Sequence, residues 1–120
     1  PADTRTGDDP LINPSAARAI LAHALALQGK TADAQKVLAP ALSYYQREWH
    51  EGAHDTSFRR DYAYALYASA LAQPADAAGG AQRATELQEA AAQIDGASDE
   101  AKRMSDFRYV SGLIASARAK

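Results

Sequence analysis

The chain contains no cysteine, which excludes a disulfide framework, a thiolate zinc site and a cysteine nucleophile. No run approaches the roughly 18 consecutive apolar residues that a membrane-spanning helix needs, so we expect no direct membrane insertion. A formal net charge of −2 gives no overall positive field to attract nucleic acid, and no nucleic-acid partner is expected. Disulfide-rich, membrane-embedded and nucleic-acid-binding proteins are therefore set aside.

Residues that favour β-strands are also scarce. The chain has 2 valines, 4 isoleucines and 5 threonines against 30 alanines. Alanine loses no side-chain entropy in a helix, whereas sheets are rich in β-branched and aromatic side chains. The length of 120 residues suits one domain. The composition therefore predicts a single all-α domain.

The first residues are polar and show no apolar periodicity, and the sequence begins with Pro1 rather than methionine. This pattern is typical of a linker, which we place at residues 1–13 and interpret as part of a longer polypeptide. Residues 14–120 then form a single helical-repeat domain.

Apolar residues at three- and four-residue steps predict five helices in this domain. Gly29 and Gly52 are expected to end the first two helices, and Thr31, Asp55 and Ser98 to start later ones. The expected helices are Pro14–Gln28, Thr31 to just before Gly52, about Ser57–Ala72, the residues after Gly80 to about Ile94, and Ser98 onwards.

The predicted third helix is apolar over most of its circumference, so we expect it at the centre of the domain. Pro40 predicts a kink in the second helix. In the first helix, the predicted inward face carries Ala17, Ile20, Leu21, Ala24 and Leu25. Short connections place neighbouring helices antiparallel, which favours a stack of helical hairpins, with a closed helical bundle as the alternative.

The first two predicted helices resemble a tetratricopeptide repeat, in which small residues lie where two helices cross and a glycine lies in the turn. The departures are Arg18 in place of tryptophan, Thr31 in place of an aromatic residue and Gln46 in place of proline. Gly79, Ala84 and Ala91 suggest a degenerate second copy, and the fifth helix would be a cap. The residues that carry the resemblance are Leu21, Ala22, Leu25, Gly29, Ala34, Leu38 and Ala41.

The resemblance implies a non-catalytic module that binds a protein or peptide, as an adaptor or scaffold domain, rather than an enzyme. The lysine and asparagine clamp of that family, which holds a C-terminal carboxylate, is missing because Ala16, Ala19 and His23 occupy the corresponding positions. No phosphate-binding loop or nucleophile elbow is evident, so no cofactor is expected.

One stretch, HEGAH at 50–54, matches the H-E-x-x-H pattern of zinc peptidases. In such a site His50 and His54 would bind the metal and Glu51 would act as general base. Gly52, however, is expected to break the helix that this site requires, and no third ligand is evident. A polar turn with surface histidines is the preferred interpretation, and a zinc metallopeptidase is a distant alternative.

Most aromatic residues fall at the end of the second helix and in the third. We interpret them as the thickest part of the core, with tyrosine hydroxyls at its rim. Because neighbouring helical positions differ by about 100°, at least one or two should be exposed. These residues are Tyr44, Tyr45, Trp49, Phe58, Tyr62, Tyr64 and Tyr67.

Exposed tyrosines beside arginines have the composition of a binding hot spot. An acidic or phosphorylated peptide would suit the arginines, which present planar forks to oxyanions. The alternative is that Arg59 and Arg60 form ion pairs with nearby carboxylates on a solvated charged face. The predicted partner-binding patch consists of Tyr44, Arg47, Trp49, Arg59, Arg60 and Tyr64.

Self-association is the alternative function. The alanine-rich fifth helix carries Leu113, Ile114 and Ala117 near the end of the sequence. If that helix has a second apolar face, it would be buried in a homodimer.

Overall fold

The computed structural model describes residues 14–120, and the predicted linker at 1–13 lies outside them. Every regular element of this part of the chain is a helix, which confirms the all-α class. This part of the chain has six helices rather than the expected five. They are α1 Pro14–Leu27, α2 Thr31–His50, α3 Thr56–Leu71, α4 Ala77–Asp95, α5 Asp99–Lys102 and α6 Ser105–Arg118.

Several helices begin or end at the residues that the sequence predicts. Gly29 and Gly52 follow α1 and α2 with φ values of +79° and +99°, a conformation that other residues rarely adopt. The Asp55 side chain accepts a 2.8 Å hydrogen bond from the Phe58 N–H at the start of α3. Ser98 accepts in the same way from the Ala101 N–H at the start of α5.

Three expectations about helix ends are wrong. The predicted fifth helix is two helices, because Met104 is extended with ψ 143° and redirects the chain before α6. Lys30, not Thr31, precedes α2, and it makes no side-chain capping bond. Gly79 is not in a turn: α4 begins at Ala77.

The start of α4 has its own steric reason for glycine. The Asp76 side chain accepts a 2.7 Å hydrogen bond from the Gly79 N–H, which fixes the first turn of the helix. The Gly79 backbone packs so closely on Pro74 that a β-carbon would overlap the Pro74 carbonyl. Gly80 faces open space. Gly79 is therefore required for packing. The connection between α3 and α4 is shorter than the sequence predicts, because α4 begins at Ala77 rather than after Gly80.

Helix α3 is the central element, as predicted. It packs against α1, α2, α4 and α6, while α1 with α2 and α3 with α4 form two helical hairpins. Helix α2 is continuous through Pro40, and its buried residues Ala34, Leu38, Ala41 and Tyr45 keep one face on both sides of the proline. Small side chains on facing helices let the backbones approach closely.

The predicted inward face of α1 is wrong for all its residues except Leu25, which is half-buried against the core. The buried residues are Ser15, Ala16, Ala19 and Ala22, whereas Ile20 and Leu21 are each half exposed. Helix α1 is apolar around nearly its whole circumference, so two different faces of the helix carry apolar residues at three- and four-residue spacing. The alanine face packs inward because small side chains fit the close contact with α2 and α3, and this leaves the bulkier side chains outside.

Candidate interaction surface

The aromatic cluster consists of Tyr45, Trp49, Phe58 and Tyr62, where α2 meets α3. The Tyr62 ring lies 5.9 Å from Tyr45, 5.8 Å from Phe58 and 6.3 Å from Trp49, measured between ring centroids. Tyr45 and Tyr62 are fully buried. The core interpretation of these aromatics is therefore confirmed.

The hydroxyls of this cluster differ in their partners. The Tyr62 hydroxyl donates to the Glu89 carboxylate at 2.9 Å. The Tyr45 hydroxyl is buried and has no hydrogen-bond partner among residues 14–120. Burial raises the pKa of both tyrosines, so both stay neutral at ordinary pH.

None of the seven aromatics named from the sequence is exposed, contrary to expectation. Tyr45, Tyr62 and Tyr67 are buried, and the other four are half-buried. The tyrosine that does face solvent is Tyr109 on α6, with 60% of its surface exposed.

Arg59 joins three helices beside the aromatic cluster. Its guanidinium lies 5.0 Å from the centroid of the Trp49 ring and donates to the Gln93 carbonyl at 3.1 Å. Gly96 ends α4 next to it, and a β-carbon there would overlap the guanidinium. A cation at this position also complements the partial negative charge at the C-terminus of α4.

Tyr44 and Arg47 lie on the solvent side of the aromatic cluster. The Tyr44 ring meets Tyr45 edge-to-face at 5.3 Å between centroids, and the Arg47 guanidinium lies 5.8 Å from the Tyr44 ring. Arg47 is exposed and 3.7 Å from the Glu48 carboxylate, so the pair contributes little to stability.

A groove of about 330 Å³ lies between α1, α3 and α6. Arg60 and Tyr64 are on its α3 wall, with Ile20 from α1 and Tyr109 from α6 at its edges. Its other lining residues are Ala16, Ala19, Asp61, Asp106 and Val110. The structure thus separates the six predicted patch residues. Arg60 and Tyr64 line this groove, Trp49 belongs to the aromatic cluster, Tyr44 and Arg59 contact that cluster, and Arg47 contacts Tyr44.

Arg60 is paired on both sides in the groove. Its guanidinium lies 3.0 Å from the Asp61 carboxylate and 2.5 Å from that of Asp106. Burial acts to raise the pKa of Asp106, but hydrogen bonds from Arg60 and from the Phe107 N–H outweigh it and lower the pKa. The Asp106 side chain remains 44% exposed.

His23 and Tyr64 are hydrogen-bonded at 2.7 Å between the imidazole Nδ1 and the phenol oxygen. His23 also meets the Tyr67 ring edge-to-face at 5.1 Å between centroids. Burial lowers the pKa of His23 and raises that of Tyr64 to about 12. Both groups are therefore neutral near pH 7, and this pair adds no charge to the groove.

The outer stripe of α1 consists of Ala17, Ile20, Ala24 and Leu27, all exposed. Leu27 is 72% exposed and Ile20 is 50% exposed. The arginine of this helix, Arg18, faces α2, where its guanidinium donates to the Val37 carbonyl at 3.1 Å. The outer stripe is therefore an uncharged apolar surface, and Ile20 joins it to the groove.

The HEGAH stretch is interrupted, as predicted. Helix α2 ends at His50, Gly52 has positive φ, and α3 begins only at Thr56. The His54 ring lies 3.7 Å from the Trp49 ring between centroids, with its Nε2 3.1 Å from the Trp49 carbonyl. Within residues 14–120, no three His, Cys, Asp or Glu side chains are grouped to hold a metal ion.

The residues named for self-association lie on the inner side of α6. Ile114 and Ala117 are buried against the core, and Leu113 is half-buried. Helix α6 uses these residues to pack on its own chain. None of the six helices is both long enough and apolar enough to cross a membrane.

Comparisons of this chain with protein-family models, with curated proteins and with solved structures give no match.

Sequence reasoning did not identify Leu27 or Tyr109 as surface features and assigned Ile20 to the core. The available signal was the composition of α1, PSAARAILAHALAL, in which only one residue is charged at neutral pH. A helix that is apolar on all sides has more apolar surface than one packing face can cover.

Proposed function

We propose that this chain is a non-catalytic protein-interaction module that holds an apolar helical segment of a protein along the outer stripe and the groove. The observation that carries the proposal is the exposed outer stripe, which continues into the groove through Ile20. Contiguous apolar surface of this kind marks interaction sites in soluble proteins.

The shape of the surface favours a helical ligand. The outer stripe has three- and four-residue spacing, and its alanines allow another helix to approach closely. Tyr109, on the opposite edge of the groove, supplies an aromatic contact of the type common at binding hot spots. An amphipathic helix laid into an apolar groove is a recurring mode of peptide recognition.

The charges favour a basic partner over the acidic one expected from the sequence. Arg60 already contacts two carboxylates, so it offers no unpaired cation to an anionic ligand. The Asp106 carboxylate, which remains 44% exposed at the groove, suits a lysine or arginine that flanks the apolar residues of the ligand.

The tetratricopeptide resemblance of the α1–α2 hairpin supports the same class of function. Helix pairs of that family serve as binding scaffolds for peptides and proteins, and here the first helix of the pair carries the apolar surface.

Selection from a displayed random-peptide library tests the proposal. We expect selected peptides to carry apolar residues at three- and four-residue steps with a flanking basic residue. Ala24→Asp places a charge on the outer stripe and should weaken binding of these peptides at least about tenfold, because the carboxylate would be desolvated.

Ala81→Asp is the matched control, since Ala81 is an exposed alanine on α4, away from the outer stripe. It should leave peptide affinity unchanged. If no peptide is enriched over an unrelated helical protein, or if both variants bind equally well, the proposal is wrong.

A further inference from the structure

A second cavity, the α4–α6 cleft, lies where the C-terminal end of α6 packs on α4. Its volume is about 350 Å³, which is within the range of small-molecule sites in proteins. It shares no lining residue with the groove or with the outer stripe. The α4–α6 cleft is lined by Arg83, Ala84 and Leu87 of α4 and by Ala117, Arg118 and Lys120 at and beyond the end of α6.

Antiparallel packing of α4 and α6 brings these residues together. The end of α6 lies beside the first half of α4, and the middle of α6 lies beside Ile94, near the C-terminal end of α4. Leu87 and Ala117 are buried, so they form an apolar floor. Arg83 is one helical turn from Leu87, and Arg118 directly follows Ala117. The α4–α6 cleft therefore combines an apolar floor with cationic walls.

The two arginines of the α4–α6 cleft have unused hydrogen-bond donors. Neither one forms an ion pair with another residue of the described range 14–120. Nη1 of the half-buried Arg83 donates to the Ala70 carbonyl at 3.4 Å, which leaves its other N–H groups unused. Arg118 is exposed, and its side chain forms no hydrogen bond within the same range. Both guanidiniums can therefore donate to a ligand.

No carboxylate side chain lines the α4–α6 cleft among the described residues. Glu86, next to Leu87 in the sequence, turns towards α3, where its carboxylate accepts from the Ser69 hydroxyl at 2.6 Å and from the Gln73 amide at 3.0 Å. Asp95 lines a separate depression further along α4, which Arg118 also borders without forming an ion pair. The cleft thus concentrates positive charge, although the chain as a whole has a net charge of −2.

We infer that the α4–α6 cleft binds a small phosphate monoester. The phosphate group of such a ligand is close to a dianion at neutral pH and presents three acceptor oxygens. Arginine guanidiniums bind these oxygens in a bidentate manner, and Lys120 adds a third cation. A carboxylate, with one negative charge, would leave most of this positive charge unbalanced. The apolar floor suits the carbon skeleton of the ligand.

Titration of the full chain with phenyl phosphate, followed by ¹H–¹⁵N NMR at about 0.15 M salt, measures the binding. We expect saturable shifts of backbone amides in the α4–α6 cleft, such as those of Ala84 and Ala117. Inorganic phosphate has the same charged group but no apolar body to cover Leu87. It should therefore bind at least about tenfold more weakly than phenyl phosphate.

Gly80 offers a variant that leaves every cation in place. It lines the α4–α6 cleft, and a β-carbon at this position would meet open space. Gly80→Glu should weaken phenyl phosphate binding at least about tenfold, because the new carboxylate repels the ligand and competes for the arginines. Gly80→Gln is the matched control, because it has nearly the same size without the charge, and it should bind as wild type does. Thermal melts of the two variants check that both are folded.

The arginines are tested by neutral substitutions. Arg83→Gln and Arg118→Gln should each weaken phenyl phosphate binding at least about tenfold, because each removes a charged fork. Arg108→Gln makes the same change in net charge at an exposed position of α6 that does not line the α4–α6 cleft. It should leave the affinity unchanged.

Three results would each overturn this inference. Equal binding by Gly80→Glu and Gly80→Gln would place the ligand elsewhere. A loss with Arg108→Gln as large as with Arg118→Gln would reduce the attraction to the general charge of this face. Inorganic phosphate that binds as tightly as phenyl phosphate would remove the assignment to a monoester. Peptide binding at the outer stripe is measured separately, so the proposed function stands or fails independently of these results.

Discussion

The aromatic cluster and the outer stripe of α1 use their residues in opposite ways. The aromatic cluster has the composition of a binding hot spot, yet Tyr45 and Tyr62 are buried, and Arg59 bridges Trp49 to the end of α4. The outer stripe has an ordinary aliphatic composition, yet it faces solvent. The comparison shows that the three-dimensional position of a residue, rather than its type, decides whether it is available to a partner.

The largest expected effect comes from removing one apolar side chain from each region. Tyr62→Ala should lower the free energy of unfolding by about 3–5 kcal/mol, because it leaves a cavity among three other rings. Leu27→Ala should change it by less than about 0.5 kcal/mol, because Leu27 is mostly exposed. Urea unfolding at low protein concentration measures both. A similar loss for the two variants would remove the distinction between the regions.

The arginines near the aromatic cluster give an intermediate test. Arg59→Ala should cost about 1–3 kcal/mol, since it removes the contact with Trp49 and the hydrogen bond to the Gln93 carbonyl. Arg47→Ala should cost about 0.5 kcal/mol or less, because its ion pair with Glu48 is exposed. Thermal melts of the two variants provide the comparison. If Arg59→Ala has the same melting temperature as wild type, Arg59 does not contribute to stability.

The smallest expected effect is a pH dependence from His23, which is hydrogen-bonded to Tyr64 of the groove. Burial lowers the folded-state pKa of His23 below its usual 6.5, so the unfolded chain binds a proton at higher pH than the folded chain does. The stability from neutral His23 is therefore present above about pH 6.5 and is lost as the pH falls through the folded-state pKa.

Unfolding free energies measured between neutral and mildly acidic pH test this. His23→Phe should flatten the dependence, while His50→Phe, at an exposed position, should retain the wild-type slope. Equal slopes for all three proteins would contradict the assignment to His23.

Local chemistry made much of the fold predictable. Gly29 and Gly52 ended helices because glycine readily adopts positive φ, and Asp55 began one because its carboxylate reaches the Phe58 N–H. The break at Met104 was not predictable in this way. Residues 103–105 contain neither glycine nor proline, and the apolar spacing from Ala101 to Phe107 allows the helix to continue.

The candidate surface was harder to predict than the fold. Two of the six residues proposed for a partner, Arg60 and Tyr64, line the groove. Ile20 was assigned inward because periodicity identifies an apolar face without saying which of two such faces packs on the core. That choice is made by the close fit of the Ala19 and Ala22 side chains against neighbouring helices.

The position of Trp49 has a spectroscopic consequence. It is the only tryptophan of the chain, and its ring contacts His54 and Arg59 at the C-terminal end of α2, neither of which belongs to the outer stripe. Intrinsic fluorescence excited at the indole band will report loosening of the α2–α3–α4 junction. It will be silent when a ligand covers α1, so an extrinsic label on that helix is the suitable probe of association.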